Sequence, residues 1–171
     1  MLIEDKKEDL VYKLIAEKLK FKPSCSYRGH SLNVNLPFEI EGNYAVYAID
    51  TMSDSQIDSM QEIVGDILAS VTNDGRRMYA IDWQHSTFLF SPQNKKEQES
   101  FWKEDSRYMG GGYNAYFPSF YPDGDYYFFI DEFWEFGYLG HPWRQEVWVF
   151  GDELIRKMDD AYLELGWYKI K

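Results

Sequence analysis

The sequence predicts an α+β fold, a mainly antiparallel β-sheet packed with about three α-helices in a single domain spanning residues 1–171. Three observations predict it. Apolar residues recur at helical spacing in three separate segments. Several short runs of strand-favouring residues follow one another in the second half. The resulting order, helix, strand, helix, successive strands and a closing helix, lacks the alternation of a doubly wound parallel fold. At 171 residues the chain is long enough to bury a core in one domain.

In chain order, Leu10, Val11, Leu14, Ile15 and Leu19 form a broad stripe from about Lys6 to Lys20, with Pro23 as the stop. An irregular stretch, Ser24 to Gly42, precedes Asn43 to Asp50, where both alternating faces are apolar, as in a buried strand. Ser53 and Gln56 offer a capping pair ahead of Ile57, Met60, Val64, Ile67, Leu68 and Val71, which repeat at three and four residues. Asn73-Asp74-Gly75 is turn chemistry. Arg77 to Trp83 and Thr87 to Ser91 then predict two strands, joined as a hairpin through Gln84-His85-Ser86. A polar run from about Lys95 to Trp102 has helical character, and Gly110-Gly111-Gly112 gives the backbone unusual freedom as a hinge or a loop. Tyr121-Pro122-Asp123-Gly124-Asp125 is a strong turn signal, with Gly124 suited to the positive-φ position. A strand, Tyr126 to Asp131, follows it. A second aromatic stretch leads to Gly140-His141-Pro142-Trp143 as a turn, and Gln145 to Phe150 is a further strand. The last helix begins near Gly151 or Asp152, buries Leu154, Ile155, Met158, Ala161, Tyr162 and Leu165, and ends at Gly166.

Charge narrows the function classes. A formal net charge of -11 and a pI near 4.7 argue against nucleic acid, whose affinity comes from lysine and arginine displacing counterions. They suit a protein partner with a basic surface. No segment approaches the ~18 uninterrupted apolar residues of a membrane helix, and residues 1–20 lack the apolar core of a signal peptide. With Cys25 as the sole cysteine, no internal disulfide can form. The expectation is a cytoplasmic protein that meets neither membrane nor nucleic acid and needs no cofactor.

The second half carries the candidate residues. Of 32 aromatic residues, 22 lie between Trp83 and Phe150, more than the buried faces of a few short strands use, so some rings are expected at the surface. Between Phe120 and Leu154, Asp123, Asp125, Asp131, Glu132, Glu135, Glu146, Asp152 and Glu153 face only one basic residue, Arg144. The binding candidates are Tyr121, Asp123, Asp125, Tyr127, Trp134, Glu135, His141 and Trp143. His85 and His141, with Asp82, Asp123 and Asp125, are the candidates for catalysis, around a metal or a water. No spacing matches a defined metal motif, so no metal ligand set is assigned. Cys25, with only His30 near it in sequence, is a weak nucleophile candidate. Gly110-Gly111-Gly112 lacks the strand-to-helix context of a phosphate loop.

Tyr121-Pro122-Asp123-Gly124-Asp125-Tyr126-Tyr127, Gly140-His141-Pro142-Trp143 and Val149-Phe150-Gly151 together resemble an uncharacterised bacterial family, a domain of unknown function found in bacilli and actinobacteria. Asp82-Trp83-Gln84-His85 resembles a further element of that family's pattern. The resemblance implies a bacterial cytoplasmic protein and supplies no activity. The family is similar in character to small accessory and immunity proteins encoded beside secreted toxins. The leading expectation is therefore a non-catalytic acidic binding protein of immunity or antitoxin type, covering a basic surface with the face around Asp123 to Glu146. The competing expectation is a small metal- or water-dependent hydrolase using His85 and His141 with Asp82, Asp123 or Asp125. An acidic mimic of nucleic acid would need carboxylates in evenly spaced rows, which the clustering does not suggest.

Overall fold

The computed structural model describes residues 1–3, 5–23 and 37–171; Cys25, His30 and the irregular stretch around them lie outside the described residues. Among the described residues three helices, α1 (Asp5–Lys18), α2 (Asp54–Val71) and α3 (Asp152–Ala161), accompany a seven-stranded sheet. Its strands are β1 (Tyr44–Ala48), β2 (Met78–Asp82), β3 (Ser86–Phe90), β6 (Tyr127–Asp131), β7 (Gly137–His141), β8 (Glu146–Phe150) and β9 (Tyr168–Lys169). They lie in the order β3-β2-β6-β7-β8-β1-β9, with every neighbouring pair antiparallel. A separate two-stranded arm, β4 (Phe101–Glu104) and β5 (Gly112–Ala115), projects from the long connection between β3 and β6. The architecture is the expected α+β fold.

Helices cover both faces of the sheet. On one face Met60, Val64 and Leu68 of α2 and Leu154 and Met158 of α3 pack on Tyr47, Ala80, Phe129 and Val149. On the other, Val11 and Ile15 of α1, with Leu19 just beyond its end, pack on Ile81, Phe128, Leu139 and Trp148. This two-sided burial is why β1, β6, β7 and β8 read as nearly continuous apolar runs in the sequence. The α1 stripe is narrower than expected: Leu10 is exposed. In α2 the Gln56 carboxamide accepts the Ser53 amide at 2.9 Å, so the capping pair forms as predicted.

Two local expectations are corrected. The polar run from Lys95 gives only one 3₁₀ turn, Lys95–Glu97, before the chain extends into β4, because Phe101 and Trp102 pair across to Ala115 and Asn114. Gly124 does not take a positive φ; from Gln84 onward the positive values fall on Gly110, Gly111, Gly151 and Gly166 and on Gln84, Trp134 and Gln145. Gly110 and Gly111 serve the return of the β4–β5 arm, not a hinge in the sheet.

Gly137 illustrates how closely the centre is packed. A Cβ there would stand 2.5 Å from Cε1 of the buried Phe150 ring and 3.2 Å from the Phe129 carbonyl oxygen. Gly137→Ala should therefore cost about 2 kcal/mol through overpacking of a site with no room to yield. A urea midpoint within experimental error of wild type would contradict this.

Candidate functional site

β2 and β3 form a hairpin whose loop is Trp83, Gln84 and His85, with Asp82 and Ser86 as its closing pair. Gln84 takes a left-handed φ of 67°, and its amide donates to the Tyr12 hydroxyl of α1 at 3.2 Å. The His85 amide donates to the Asp82 carbonyl at 2.9 Å, and the Trp83 amide to the Tyr126 carbonyl at 3.1 Å. The loop is thus tied to both α1 and the start of β6. On the other side of β2, Asp82 stands opposite Tyr127, the first residue of β6. The turn that leads into β6 therefore delivers Asp123 and Asp125 to the same sheet end as Asp82 and His85.

There the carboxylates and the imidazole meet. One donor atom from each of Asp82, His85 and Asp125 lies within 4.8 Å of the other two. His85 Nε2 is 3.4 Å from Asp125 Oδ2, while Asp125 Oδ1 accepts the Tyr126 amide at 2.7 Å and fixes that carboxylate. Tyr127 donates its hydroxyl to Asp123 at 2.9 Å. Asp82 is 9% exposed, and its Oδ1 is buried without a hydrogen-bond partner. Burial pushes its carboxyl up to about 6; Asp125 and Asp123 add to the rise and His85 opposes it. Among the described residues, no lysine or arginine is in the groups acting on it.

The β4–β5 arm supplies the facing wall. Ser86 donates its hydroxyl to the Tyr116 carbonyl at 2.9 Å, which holds the exit of β5 against the hairpin. Tyr108 and Tyr113 pack ring to ring at 4.9 Å. The result is an open cleft of about 440 Å³ with Asp82, His85 and Ser86 on one side and Tyr108, Tyr113 and Tyr116 on the other. Sequence reasoning named the acidic and histidine side but not this wall. Its one signal was the excess of aromatic residues over what the strands could bury.

The other predicted residues do not join this cluster. His141 continues β7 into the interior and is fully buried. Its Nδ1 accepts the Arg144 amide and its Nε2 faces the Tyr126 hydroxyl, both at 3.3 Å. Burial, helped by the Arg144 charge, pushes its pKa down to about 3, so the ring is neutral and structural. Trp143 packs half-buried on Tyr126, and Tyr121 is buried with its hydroxyl on Gln145 at 3.2 Å. Glu146, taken above as an edge of the acidic face, is 2% exposed and receives a two-pronged bond from Arg144 and the Trp148 indole N–H. Asp131 is likewise fully buried.

Trp134 and Glu135 sit at the opposite end of the sheet, beyond the Met78–Asp131 pair and about 13 Å along β2 from Asp82. They border a separate cleft of about 540 Å³ with Lys18, Phe150 and Asp152. Several of its polar groups are already matched: Lys18 lies over the Trp134 ring, Glu135 holds Arg76, and Asp152 accepts from Asn43. The smaller cleft, with an unneutralised buried carboxylate, is the better site on chemistry.

Residues 2–155 match the model of the DUF2716 family, described as proteins of unknown function. The chain belongs to this family. A relative, the uncharacterized protein YxiI of Bacillus subtilis (strain 168), is 27% identical over 163 residues, 90% of this chain and 88% of that protein. No solved structure matches the chain. The match to DUF2716 spans Asp82, His85, Asp125 and both aromatic motifs. No helix among the described residues is long and apolar enough to cross a membrane.

Proposed function

We propose that this DUF2716 protein is a binding protein that seats a lysine or arginine of a basic protein partner in the Asp82 cleft, as an immunity-type protein covers a toxin. The observation that carries this reading is the Asp82 carboxylate, on a residue only 9% exposed beside Asp123 and Asp125, with no lysine or arginine among the described residues acting on it. A buried carboxylate without a counter-charge is unfavourable, and a cation inserted from a partner relieves it. The exposed faces of Tyr108 and Tyr116 add contact area and cation–π attraction. The net charge of -11 draws a basic surface from a distance.

The test is calorimetry with the purified products of the neighbouring genes, at low and high salt. The expected result is binding by one of them that weakens as salt rises and falls at least ~10-fold in Asp82→Asn. Binding unchanged by salt and by Asp82→Asn, or no binding by any neighbour, would overturn the reading.

One observation favours hydrolysis as a second reading: Asp82, with its carboxyl pushed up to about 6, lies beside an exposed imidazole in an open cleft. His141 has no part in it. Hydrolysis of a model ester or phosphodiester that is lost in His85→Ala, with partner binding retained, would establish this alternative.

A further inference from the structure

We infer that Asp82, His85 and Asp125 form a divalent-metal site. The inference rests on the reading that this cleft is the working site of the chain, and it adds an inorganic ligand to it. Asp82 and His85 come from one hairpin, the end of β2 and the loop after it, and Asp125 from the turn before β6, which the pairing of β2 with β6 brings beside them. Each can turn one atom to a common point, since those atoms lie within 4.8 Å of one another. Bonds of ~2.0–2.2 Å to a central ion set neighbouring ligands ~3–3.5 Å apart. Closing the remaining gap falls to His85, whose side chain is 63% exposed and unobstructed.

Each ligand is prepared for the role. Asp125 uses Oδ1 on the Tyr126 amide, which leaves Oδ2 directed at His85 for single-point ligation. The His85 backbone is anchored to the Asp82 carbonyl, so its ring starts from the right side of the loop. Asp82 contributes the second, independent sign of a ligand: a residue only 9% exposed that lines the cleft, with Oδ1 buried and lacking any partner among the described residues. Two carboxylates balance a doubly charged ion. Asp123, held by Tyr127, adds negative potential behind them.

The donor set selects the ion. Two carboxylates with one imidazole suit Mn²⁺, Fe²⁺ or Zn²⁺, whereas Ca²⁺ asks for six to eight oxygens that this cleft does not present. Three protein ligands leave further coordination positions open, the arrangement of a site that meets a ligand and not of a closed structural one. A metal ion and a partner's basic side chain need the same carboxylates, so they must compete.

The full chain, freed of metal with a chelator, is titrated with Mn²⁺ and with Zn²⁺ by calorimetry, and Mn²⁺ broadening of histidine ring signals is followed by NMR. The expected result is one ion per chain, an affinity lowered at least ~10-fold in His85→Ala and in Asp125→Asn, and broadening of His85 well beyond that of buried His141. His85→Ala alters an exposed side chain, so folding is retained, and circular dichroism checks it. Absence of binding up to about 1 mM, or binding unchanged in both variants, overturns the metal site. If the metal fails while a basic partner still depends on Asp82, the metal inference falls and the binding reading stands. If neither binds at this cleft, both fall.

Discussion

Asp131→Ala should lower the unfolding free energy by ~3–4 kcal/mol, the largest effect expected of any single polar substitution here. Asp131 is fully buried at the end of β6, and its Oδ2 accepts the Arg76 guanidinium at 2.7 Å and the Phe133 and Glu135 amides at 3.1 and 3.3 Å. These bonds shape a turn in which Trp134 holds a φ of 65° and donates its amide to the Asp131 carbonyl. Without the carboxylate two turn amides lose their acceptor. Arg76, with a side chain only 19% exposed, keeps just the exposed Glu135 at 2.8 Å. Removing one partner of a buried pair costs ~3–5 kcal/mol because the other charge stays uncompensated. The double variant Arg76→Met with Asp131→Ala should therefore lose less than the sum of the single losses, as a double-mutant cycle in urea would report. A loss below ~1 kcal/mol for Asp131→Ala would show that the turn holds without it.

The same contrast, a carboxylate with a partner against one without, explains what the sequence could and could not reveal. Periodicity exposed α2 and α3 because Met60, Val64, Leu68, Leu154 and Met158 all face one core. It failed at β4, where Phe101 and Trp102 are both exposed and neither a helical nor an alternating pattern results. Acidic residues look alike in sequence, yet Asp131 and Glu146 are buried against Arg76 and Arg144, while Asp123 stands at the surface. Their separation depends on partners supplied by the fold.

Asp82, His85, Asp123 and Asp125 were each named from local context. Their union was not legible, since it follows from pairing β2 with β6 across some forty residues of intervening chain. His141 misled for a local reason. Gly-His-Pro-Trp reads as one turn, but β7 includes Gly140 and His141 and the turn begins only at Pro142, while Pro122 packs against Gly140, where a Cβ would stand 2.9 Å from the proline Cβ. The two aromatic motifs are thus one packing unit, with Tyr127 and Gly140 opposite each other in the ladder. They hold the floor of the site more than they form it.

Asp82→Asn should stabilise the chain by ~2 kcal/mol at pH 7.5, with chelator present and no partner, and the gain should vanish near pH 4. In the folded chain the Asp82 carboxyl is pushed up to about 6 by burial and by Asp125 and Asp123, with His85 opposing. In the unfolded chain it titrates near ~3.9. A folded-state pKa above the unfolded one means that the folded chain binds the proton more tightly. The site is then least unfavourable below the unfolded pKa and becomes a liability as pH rises through about 6. Two pKa units correspond to just under 3 kcal/mol, and water at the cleft mouth reduces that to the value stated.

His141 acts in the opposite sense. Its folded pKa, pushed down to about 3, lies below the unfolded ~6.5, so the stability it gives above pH 6.5 is lost progressively as pH falls toward 3. Between pH 6 and 4 the two trends oppose each other in the wild type and flatten its profile. In Asp82→Asn the His141 trend is no longer opposed by Asp82, and the urea midpoint should fall steeply over the same range. A variant that is less stable at pH 7.5, or whose difference from wild type is constant from pH 7.5 to 4, would sink this account. A carboxylate that destabilises the free protein at neutral pH, and on which ligand binding at the cleft is proposed to depend, has the energetics of a residue kept for its ligand and not for the fold.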